Sequence, residues 1–130
     1  MTDRELVEKA FTMLERSYSP YSHFPVGAAL EGADGTVYTG CNVENAAYGD
    51  CICAERTALV KAVSEGCRSF TRLAVVGNSG DYCWPCGSCR QMLYEFAPEL
   101  EIIVGRGDHE FVKLTLRDLL PHGFGPESLG

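Results

Sequence analysis

The sequence predicts a single α/β domain over residues 1–130, in which helices cover the faces of a sheet of mixed strand direction. First, 130 residues that are 45% hydrophobic can form one core but are too few for two. Second, short strand patterns alternate along the chain with helical patterns of ten or more residues. Third, a hairpin signal requires an antiparallel pair of strands, so the sheet is not purely parallel.

The N-terminal third predicts a helix followed by a hairpin. Apolar residues at spacings of three and four indicate a helix from residue 3 to about 17, with Thr2 or Asp3 as its N-cap. The pair Asp34 and Gly35 is the strongest short hairpin signal in the sequence, because both residue types suit tight turns. The strands that it joins are predicted over residues 26–30 and 36–43.

The middle of the chain predicts two helices that each begin at or beside a cysteine. The first runs from about residue 53 to 65, and Gly66 lies where the residue after a helix end belongs. A β-branched run over residues 70–79 predicts an inner strand. The second helix is predicted over residues 85–98, with Pro85 near its first position.

The C-terminal part predicts two further strands and a short helix. The strands cover residues 101–106 and 110–114, and Thr115 is a suitable N-cap for a helix over residues 116–120. No repeat or low-complexity linker interrupts this order.

The charge of the chain argues against a polynucleotide substrate. The 11 basic and 18 acidic side chains give a net charge of -7, and no run of Lys or Arg forms a positive stripe. The N-terminal segment lacks the apolar region of a signal peptide, and no apolar run approaches the roughly 20 residues of a membrane span. We therefore expect a cytoplasmic protein with no nucleic-acid or membrane partner.

Seven cysteines are many for so short a chain, and their pattern favours a metal site. An odd count without a signal peptide does not suit a secreted disulfide framework. Cys86 and Cys89 have a spacing that lets two thiolates converge on zinc or an iron–sulfur cluster, although a redox pair has the same spacing. We assign no chemistry to Cys41 and Cys67, since isolated cysteines usually pack as small apolar residues.

Spacing alone leaves the ligand set open. Cys53 and Cys86 lie at predicted helix starts, where the helix dipole favours thiolate over thiol. Cys51 competes with Cys53, and Cys83 extends the pair to "CxxCxxC", so a four-cysteine structural zinc or an iron–sulfur cluster remains an alternative. Glu55 favours catalysis, because an open zinc site needs a nearby base to move the proton of its water.

The ordered motifs resemble a known family. The segments "CAE" at residues 53–55 and "PCGSCRQ" at residues 85–91 are similar to the zinc motifs of the small homotetrameric cytidine deaminases. Further similar segments occur in the same order, namely "SPYSHFPVGAAL", "GCNVENAAYG" and "LLPHGFGPESL", so the resemblance covers nearly the whole chain. It implies a three-layer α/β/α cytidine deaminase-like fold with a mixed five-stranded sheet.

The resemblance also implies the chemistry. One Zn²⁺ per chain would be held by Cys53, Cys86 and Cys89, and zinc-bound hydroxide would attack the ring carbon that bears the amino group, with Glu55 as proton shuttle. Cytidine and 2′-deoxycytidine would become uridine and 2′-deoxyuridine plus ammonia, a reaction of pyrimidine salvage. In similar enzymes the arginine at the position of Arg56 donates hydrogen bonds to the thiolates, which offsets their excess negative charge.

The implied substrate contacts come from two parts of the chain. Asn42 and Glu44 would hydrogen-bond the sugar hydroxyls, and their alternation places both on one face of an extended segment. Phe24 would pack against the pyrimidine, and Ala54 would also contact the substrate. The resemblance implies a homotetramer with shared active sites, and the residues that would reach a neighbouring subunit's pocket are Ala46, Tyr48 and Phe124.

Three alternatives to this function remain at the level of sequence. A deaminase of the same fold could act on another aminopyrimidine or on a nucleoside antibiotic, and the contacts of Asn42 and Glu44 would distinguish these substrates. A cysteine-rich binding module would hold structural zinc or an iron–sulfur cluster. An RNA or DNA editing enzyme would share the core, but the net charge of -7 argues against it.

Overall fold

Five strands form one mixed sheet in the order β2-β1-β3-β4-β5. The strands are β1 (Val26–Gly32), β2 (Val37–Cys41), β3 (Phe70–Gly77), β4 (Glu101–Gly105) and β5 (Phe111–Thr115). The pair β3 and β4 is parallel, whereas the other neighbouring pairs are antiparallel. This computed structural model describes residues 1–129, and it confirms the predicted mixed five-stranded sheet.

Helices cover both faces of this sheet, which confirms the three-layer prediction. The helices are α1 (Asp3–Phe11), α2 (Ala54–Ser64), α3 (Gly87–Phe96), α4 (Leu116–Leu119) and α5 (Pro126–Leu129). Successive strand residues point to opposite faces, so Ala29 packs in the cluster beneath α1 while Ala28 and Leu30 pack in the cluster beneath α2 and α3. Within residues 1–129, no helix has both the length and the hydropathy that a membrane crossing requires.

Several predicted ends and caps are confirmed because local chemistry decides them. Thr2 is the N-cap of α1 and forms a capping box with Glu5. Thr115 is the N-cap of α4, and its backbone N–H and hydroxyl both donate to the Asp118 carboxylate. The residue that follows the cap position of α2 is Gly66, and its φ of 93° lies in the left-handed region that glycine tolerates.

Several predicted boundaries differ from the structure, and three of the differences have a local cause. The first helix ends at Phe11 and continues to Arg16 as a 3₁₀ helix, where the Thr12 hydroxyl donates to the Lys9 carbonyl at 2.6 Å and competes with the helical ladder. The second strand ends at Cys41, because Val43 leaves the sheet to pair with other loop residues.

The start of the third helix also differs from the prediction. Helix α3 begins at Gly87, so Pro85 lies outside it and does not occupy its first position. The cap is Cys86, whose side chain accepts a hydrogen bond from the backbone N–H of Cys89. This end is set by a thiol cap and not by the proline.

Helix α2 lies unusually close to β2, and this contact positions the functional site. A Cβ atom at Gly40 would lie 2.4 Å from the Ala54 carbonyl oxygen and 2.6 Å from the Ala58 nitrogen. The hydroxyl of Thr57 adds a hydrogen bond of 3.0 Å to the Cys41 carbonyl. The first turn of α2 is therefore held directly against the sheet.

Candidate active site

Three cysteine side chains meet where α2 and α3 begin. Cys53 is the N-cap residue of α2, Cys86 is the N-cap residue of α3, and Cys89 lies in the first turn of α3. The Cys86 Sγ lies 3.7 Å from the Cys53 Sγ and 3.3 Å from the Cys89 Sγ, and all three sulfurs lie within 4.8 Å of one another. Two backbone hydrogen bonds of 2.9 Å between Val43 and Ile52 close the loop that leads into Cys53.

These three thiols fit one zinc ion. Tetrahedral coordination with Zn–S bonds of about 2.3 Å places two sulfurs about 3.8 Å apart, close to the separations of this cluster. Among residues 1–129, no further Cys, His, Asp or Glu ligand atom joins the group. The cluster can therefore hold one metal ion and leave a coordination position open, and the four-cysteine site that spacing left open does not form here.

The electrostatics of the cluster favour a charged ligand at Cys53. A hydrogen bond with Cys89 is the largest of the effects that lower the pKa of Cys53 to about 5, and Cys86 and Arg56 act in the same direction. The same hydrogen bond raises the pKa of Cys89, because one proton is shared between neighbouring thiols. A dication that replaces this proton would allow all three thiols to ionise.

Two cysteines that spacing could not separate from the ligands lie elsewhere. The Cys51 Sγ accepts the backbone N–H of Asn45 at 3.3 Å, so it belongs to the loop before α2. Cys83 precedes α3 and lines a pocket beside the cluster, and burial raises the pKa of its thiol to about 11. A thiol that stays protonated is a poor zinc ligand.

Glu55 is a buried carboxyl group beside the three thiols. It is 4% exposed, and no other charged residue within residues 1–129 is buried. Burial raises the pKa of Glu55 to about 7, and the negative charge of Cys53 acts in the same direction. A carboxyl group with this pKa can both accept and donate a proton at neutral pH.

Arg56 connects the cluster to the preceding loop. Its Nη2 donates to the Cys51 carbonyl at 2.9 Å, while its buried Nε has no hydrogen-bond partner within the described chain. The guanidinium lies near enough to Cys53 to contribute to the lowered pKa of that thiol. An unpaired buried N–H group is costly, so it marks a place where a thiolate can accept a hydrogen bond.

A pocket of about 220 Å³ opens beside Glu55. It is lined by Phe24, Val26, Asn42, Cys53, Ala54, Glu55, Cys83, Trp84 and Cys86. The structure thus brings Phe24, Asn42 and Ala54, three of the predicted substrate contacts, to the side of the cluster. Val26 and Trp84 were not predicted as pocket residues, although Val26 lies in the family-like segment "SPYSHFPVGAAL" and Trp84 directly precedes the "PCGSC" motif.

Asn42 holds the end of β2 to the segment that carries Phe24. Its Oδ1 accepts the backbone N–H of Val26 at 2.9 Å, and its Nδ2 donates to the Phe24 carbonyl at 2.9 Å. The Ser17 hydroxyl also donates to Oδ1. One N–H of the amide remains for a molecule in the pocket.

Glu44 lies beside this pocket and not in its lining. The Glu44 Oε1 accepts the backbone N–H groups of Tyr21 and Ser22, both at 3.0 Å, and its Oε2 accepts the Ser22 hydroxyl. The hydrogen bonds from Ser22 are the main cause of the lowered pKa of Glu44. Glu44 lines a neighbouring depression of about 290 Å³ together with Tyr48 and Cys51.

The remaining predicted substrate residues do not line the pocket beside Glu55. Ala46 is exposed, Tyr48 is 74% exposed and Phe124 is 56% exposed. The Gln91 side chain donates to the Phe124 carbonyl at 2.7 Å and so holds the C-terminal segment near α3. Within one chain, these three residues do not join Glu55.

Comparisons with known proteins agree on one family. Residues 1–105 match the family described as "Cytidine and deoxycytidylate deaminase zinc-binding region". The chain is 45% identical over 130 residues to a cytidine deaminase of Sporosarcina psychrophila. The match covers 99% of this chain and 96% of that protein.

Two solved structures are also similar. The crystal structure of cytidine deaminase from Burkholderia pseudomallei has a TM-score of 0.92 and 46% identity, and the match covers 95% of this chain and 100% of that one. The crystal structure of cytidine deaminase from Mycobacterium tuberculosis has a TM-score of 0.84 and 40% identity, with 96% and 99% covered.

Proposed function

The chain belongs to the cytidine and deoxycytidylate deaminase family and is an enzyme of the cytidine deaminase type; from this premise we propose that it converts cytidine and 2′-deoxycytidine to uridine and 2′-deoxyuridine. Water is consumed and ammonia is released, in a reaction that would serve pyrimidine salvage. The observation that carries the proposal is the buried carboxyl group of Glu55 beside three convergent thiols and a pocket. A structural zinc site has no use for this group, whereas hydrolysis needs it to move protons.

Cys53, Cys86 and Cys89 would hold one zinc ion per chain. When bound, zinc supplies a Lewis acid that makes water nucleophilic near neutral pH. Two of these cysteines, Cys53 and Cys86, line the same pocket as Glu55, so the ion would be held beside that pocket. Arg56 would offset their excess negative charge, and its unpaired Nε and its effect on the pKa of Cys53 support this role.

Glu55 would move the protons of the reaction. As a carboxylate it accepts a proton from the attacking water, and as a carboxylic acid it donates a proton to N3 of the cytosine ring. The hydroxyl group added to C4 then gives its proton to Glu55, which passes it to the amino group. The C4–N bond breaks, ammonia leaves and C4 becomes a carbonyl carbon. A pKa of about 7 supports both directions of transfer, because neither protonation state is costly at neutral pH.

The pocket residues would hold a nucleoside. The pyrimidine would pack against Phe24 beside Ala54, and the remaining N–H of Asn42 would donate to a sugar hydroxyl. From the neighbouring depression, Glu44 would accept a second sugar hydroxyl, since a carboxylate offers about four acceptor sites and its contacts with Tyr21 and Ser22 use only part of them. Such polar partners favour a nucleoside over a free base.

We also propose that each chain is one domain over residues 1–130 and that four chains assemble with shared active sites. Ala46, Tyr48 and Phe124 would then reach the pocket of a neighbouring subunit. The large exposed fractions of the two aromatic side chains support this arrangement, because burial between copies removes apolar surface from water. A cytoplasmic location would keep the free thiols reduced.

The replacement Glu55→Gln tests the function. We expect cytidine's ultraviolet absorbance to be lost about 100-fold to 10,000-fold more slowly, since the amide cannot accept or return a proton. Zinc content should stay near one ion per chain, because all three thiols remain. Removal of zinc by a chelator should abolish activity, and added zinc should restore it.

The matched control is Glu65→Gln, which removes an exposed carboxylate at the other end of the same helix. This variant should keep full activity. A Glu55→Gln enzyme with near-normal turnover would disprove the proposed mechanism. Much faster turnover of free cytosine or of a nucleoside antibiotic than of cytidine would instead disprove the substrate assignment.

A further inference from the structure

A second cleft, of about 420 Å³, lies between α1 with its 3₁₀ extension, β2 and α2, and it shares no residue with the pocket beside Glu55. Its polar lining residues are Lys9, Thr12, Glu15, Arg16, Thr39 and Lys61. The half-buried Lys61 is held at the cleft by a long hydrogen bond of 3.4 Å from its Nζ to the Thr39 hydroxyl.

The cations of this cleft are not neutralised within the described chain. Of the 11 Lys and Arg residues, those paired with carboxylates are Arg4, Arg72, Arg106, Lys113 and Arg117. Arg56 and Arg90 donate to backbone carbonyls. The rest are Lys9, Arg16, Lys61 and Arg68, and the first three line the cleft.

This clustering is unexpected in an acidic protein. The net charge is -7, so carboxylates that could pair with these cations are abundant on the chain. Glu15 is the one carboxylate at the cleft, and it forms an ion pair with none of Lys9, Arg16 and Lys61 within residues 1–129. Three like charges that line one cleft repel each other, and a bound anion would relieve that repulsion.

We propose that this cleft binds a phosphate-bearing anion. A phosphate group carries close to two negative charges and several acceptor oxygens, which match three cations and the Thr39 hydroxyl better than a carboxylate with one charge would. The volume of about 420 Å³ is larger than inorganic phosphate needs, so the cleft has room for a larger molecule that carries a phosphate group, such as a nucleotide. The proposal stands apart from the deaminase activity, so either can fail without the other.

The test is a titration of the zinc-loaded protein with inorganic phosphate, followed by calorimetry and thermal unfolding. Ionic strength is held constant with chloride. We expect saturable binding, and we expect the combined variant Lys9→Gln, Arg16→Gln and Lys61→Gln to bind at least about tenfold more weakly because three favourable charge interactions are lost. Parallel titrations with pyrophosphate and cytidine monophosphate distinguish a free phosphate site from a nucleotide site.

Arg68→Gln is the matched control, since it removes the same charge from a cation outside the cleft. It should bind phosphate as the unmodified protein does. The proposal is overturned if chloride alone gives the same response, or if Arg68→Gln weakens phosphate binding as much as the combined cleft variant does. It is also overturned if the cleft substitutions change only the oligomeric state, because a partner chain would then occupy the cleft.

Discussion

A single missing methyl group shapes the wall of the pocket beside Glu55. Gly77 is the last residue of β3, and a Cβ atom there would lie 2.9 Å from the Phe24 Cζ and 3.4 Å from the Cys83 Cβ. Across the β1 to β3 ladder it pairs with Val26, another pocket residue. The ring of Phe24 can therefore occupy its place only because residue 77 has no side chain.

We expect Gly77→Ala to raise the KM for cytidine about tenfold with a smaller effect on kcat. The added methyl group would push the Phe24 ring toward the pocket, and overpacking of this kind costs about 1–3 kcal/mol. Zinc content should not change, because the thiols lie on other segments. Steady-state kinetics and metal analysis provide the measurements.

Gly80→Ala is the control, since nothing lies within 4 Å of a Cβ at Gly80. Combination of Gly77→Ala with Phe24→Leu tests the cause, because leucine lacks the ring atoms that the methyl group would meet. In the Phe24→Leu background the alanine should add little to KM. Equal effects of Gly77→Ala in both backgrounds would show that Phe24 does not transmit the change.

The location of α2 depends on its contact with one strand. This helix carries Cys53 at its cap and Glu55 in its first turn, while its packing face consists mainly of small alanines. Small residues allow the helix backbone to approach β2, where Gly40 has no side chain to hold it away. The active-site groups are thus positioned by the fit between a helix and a strand.

We expect Gly40→Ala to lower the free energy of unfolding by about 1–3 kcal/mol or more, because the new methyl group would collide with rigid backbone atoms. The displaced first turn should also reduce zinc retention, since Cys53 moves with it. Chemical denaturation and metal analysis after dialysis measure both effects.

Gly49→Ala is a suitable comparison, because a Cβ at Gly49 meets nothing within 4 Å. It should retain both stability and zinc. A Gly40→Ala protein with unchanged stability would mean that α2 can move away from β2 without cost.

A network around Arg72 joins distant parts of the chain. From β3, Arg72 donates to Asp3 of α1 at 2.8 Å and to Glu31 of β1 at 2.6 and 2.7 Å. The side chains of Arg72 and Glu31 are only 16% and 12% exposed. Lys113 of β5 extends the network, since it pairs with both Asp3 and Glu101. One cluster therefore ties the first helix to three of the five strands and, through Glu101, to a fourth.

This network predicts that acid weakens the fold. The hydrogen bonds from Arg72 hold the pKa values of Asp3 and Glu31 below their usual range. Their contribution to stability is full above the unfolded values of about 3.9 and 4.3, and it is lost as the pH falls through the lower folded values. We expect the free energy of unfolding, measured by denaturant titration at a series of pH values, to fall below about pH 4.

The replacement Arg72→Gln should flatten this dependence, because it removes the largest interaction that lowers the pKa of Asp3 and of Glu31. The remaining slope reflects weaker partners, such as Lys113 beside Asp3. Arg68→Gln should keep the slope of the unmodified protein. Loss of zinc at low pH affects all of these proteins alike, so the difference between variants isolates the network. Parallel curves for Arg72→Gln and the unmodified chain would contradict the prediction.

Local chemistry explains which features could be predicted. Features that depend only on neighbouring residues were predictable. They are the turn at Gly35, the caps at Thr2 and Thr115, and the end of α2. The 3₁₀ extension after Phe11 was not predictable, since a side-chain hydrogen bond to the backbone there changes no hydrophobic spacing. The predicted start of α3 at Pro85 was wrong, because the thiol cap at Cys86 decides that the helix begins at Gly87.

The sequence by itself determined the chemistry of the site, namely thiols at two helix starts and a carboxylate two residues from the first of them. Only the tertiary structure decided that Cys53 joins Cys86 and Cys89, while Cys51 and Cys83 do not. Spacing along one segment specifies which side chains are neighbours on that segment. Convergence of two segments depends on how the sheet places α2 beside α3, and that placement depends on packing between residues far apart in the chain.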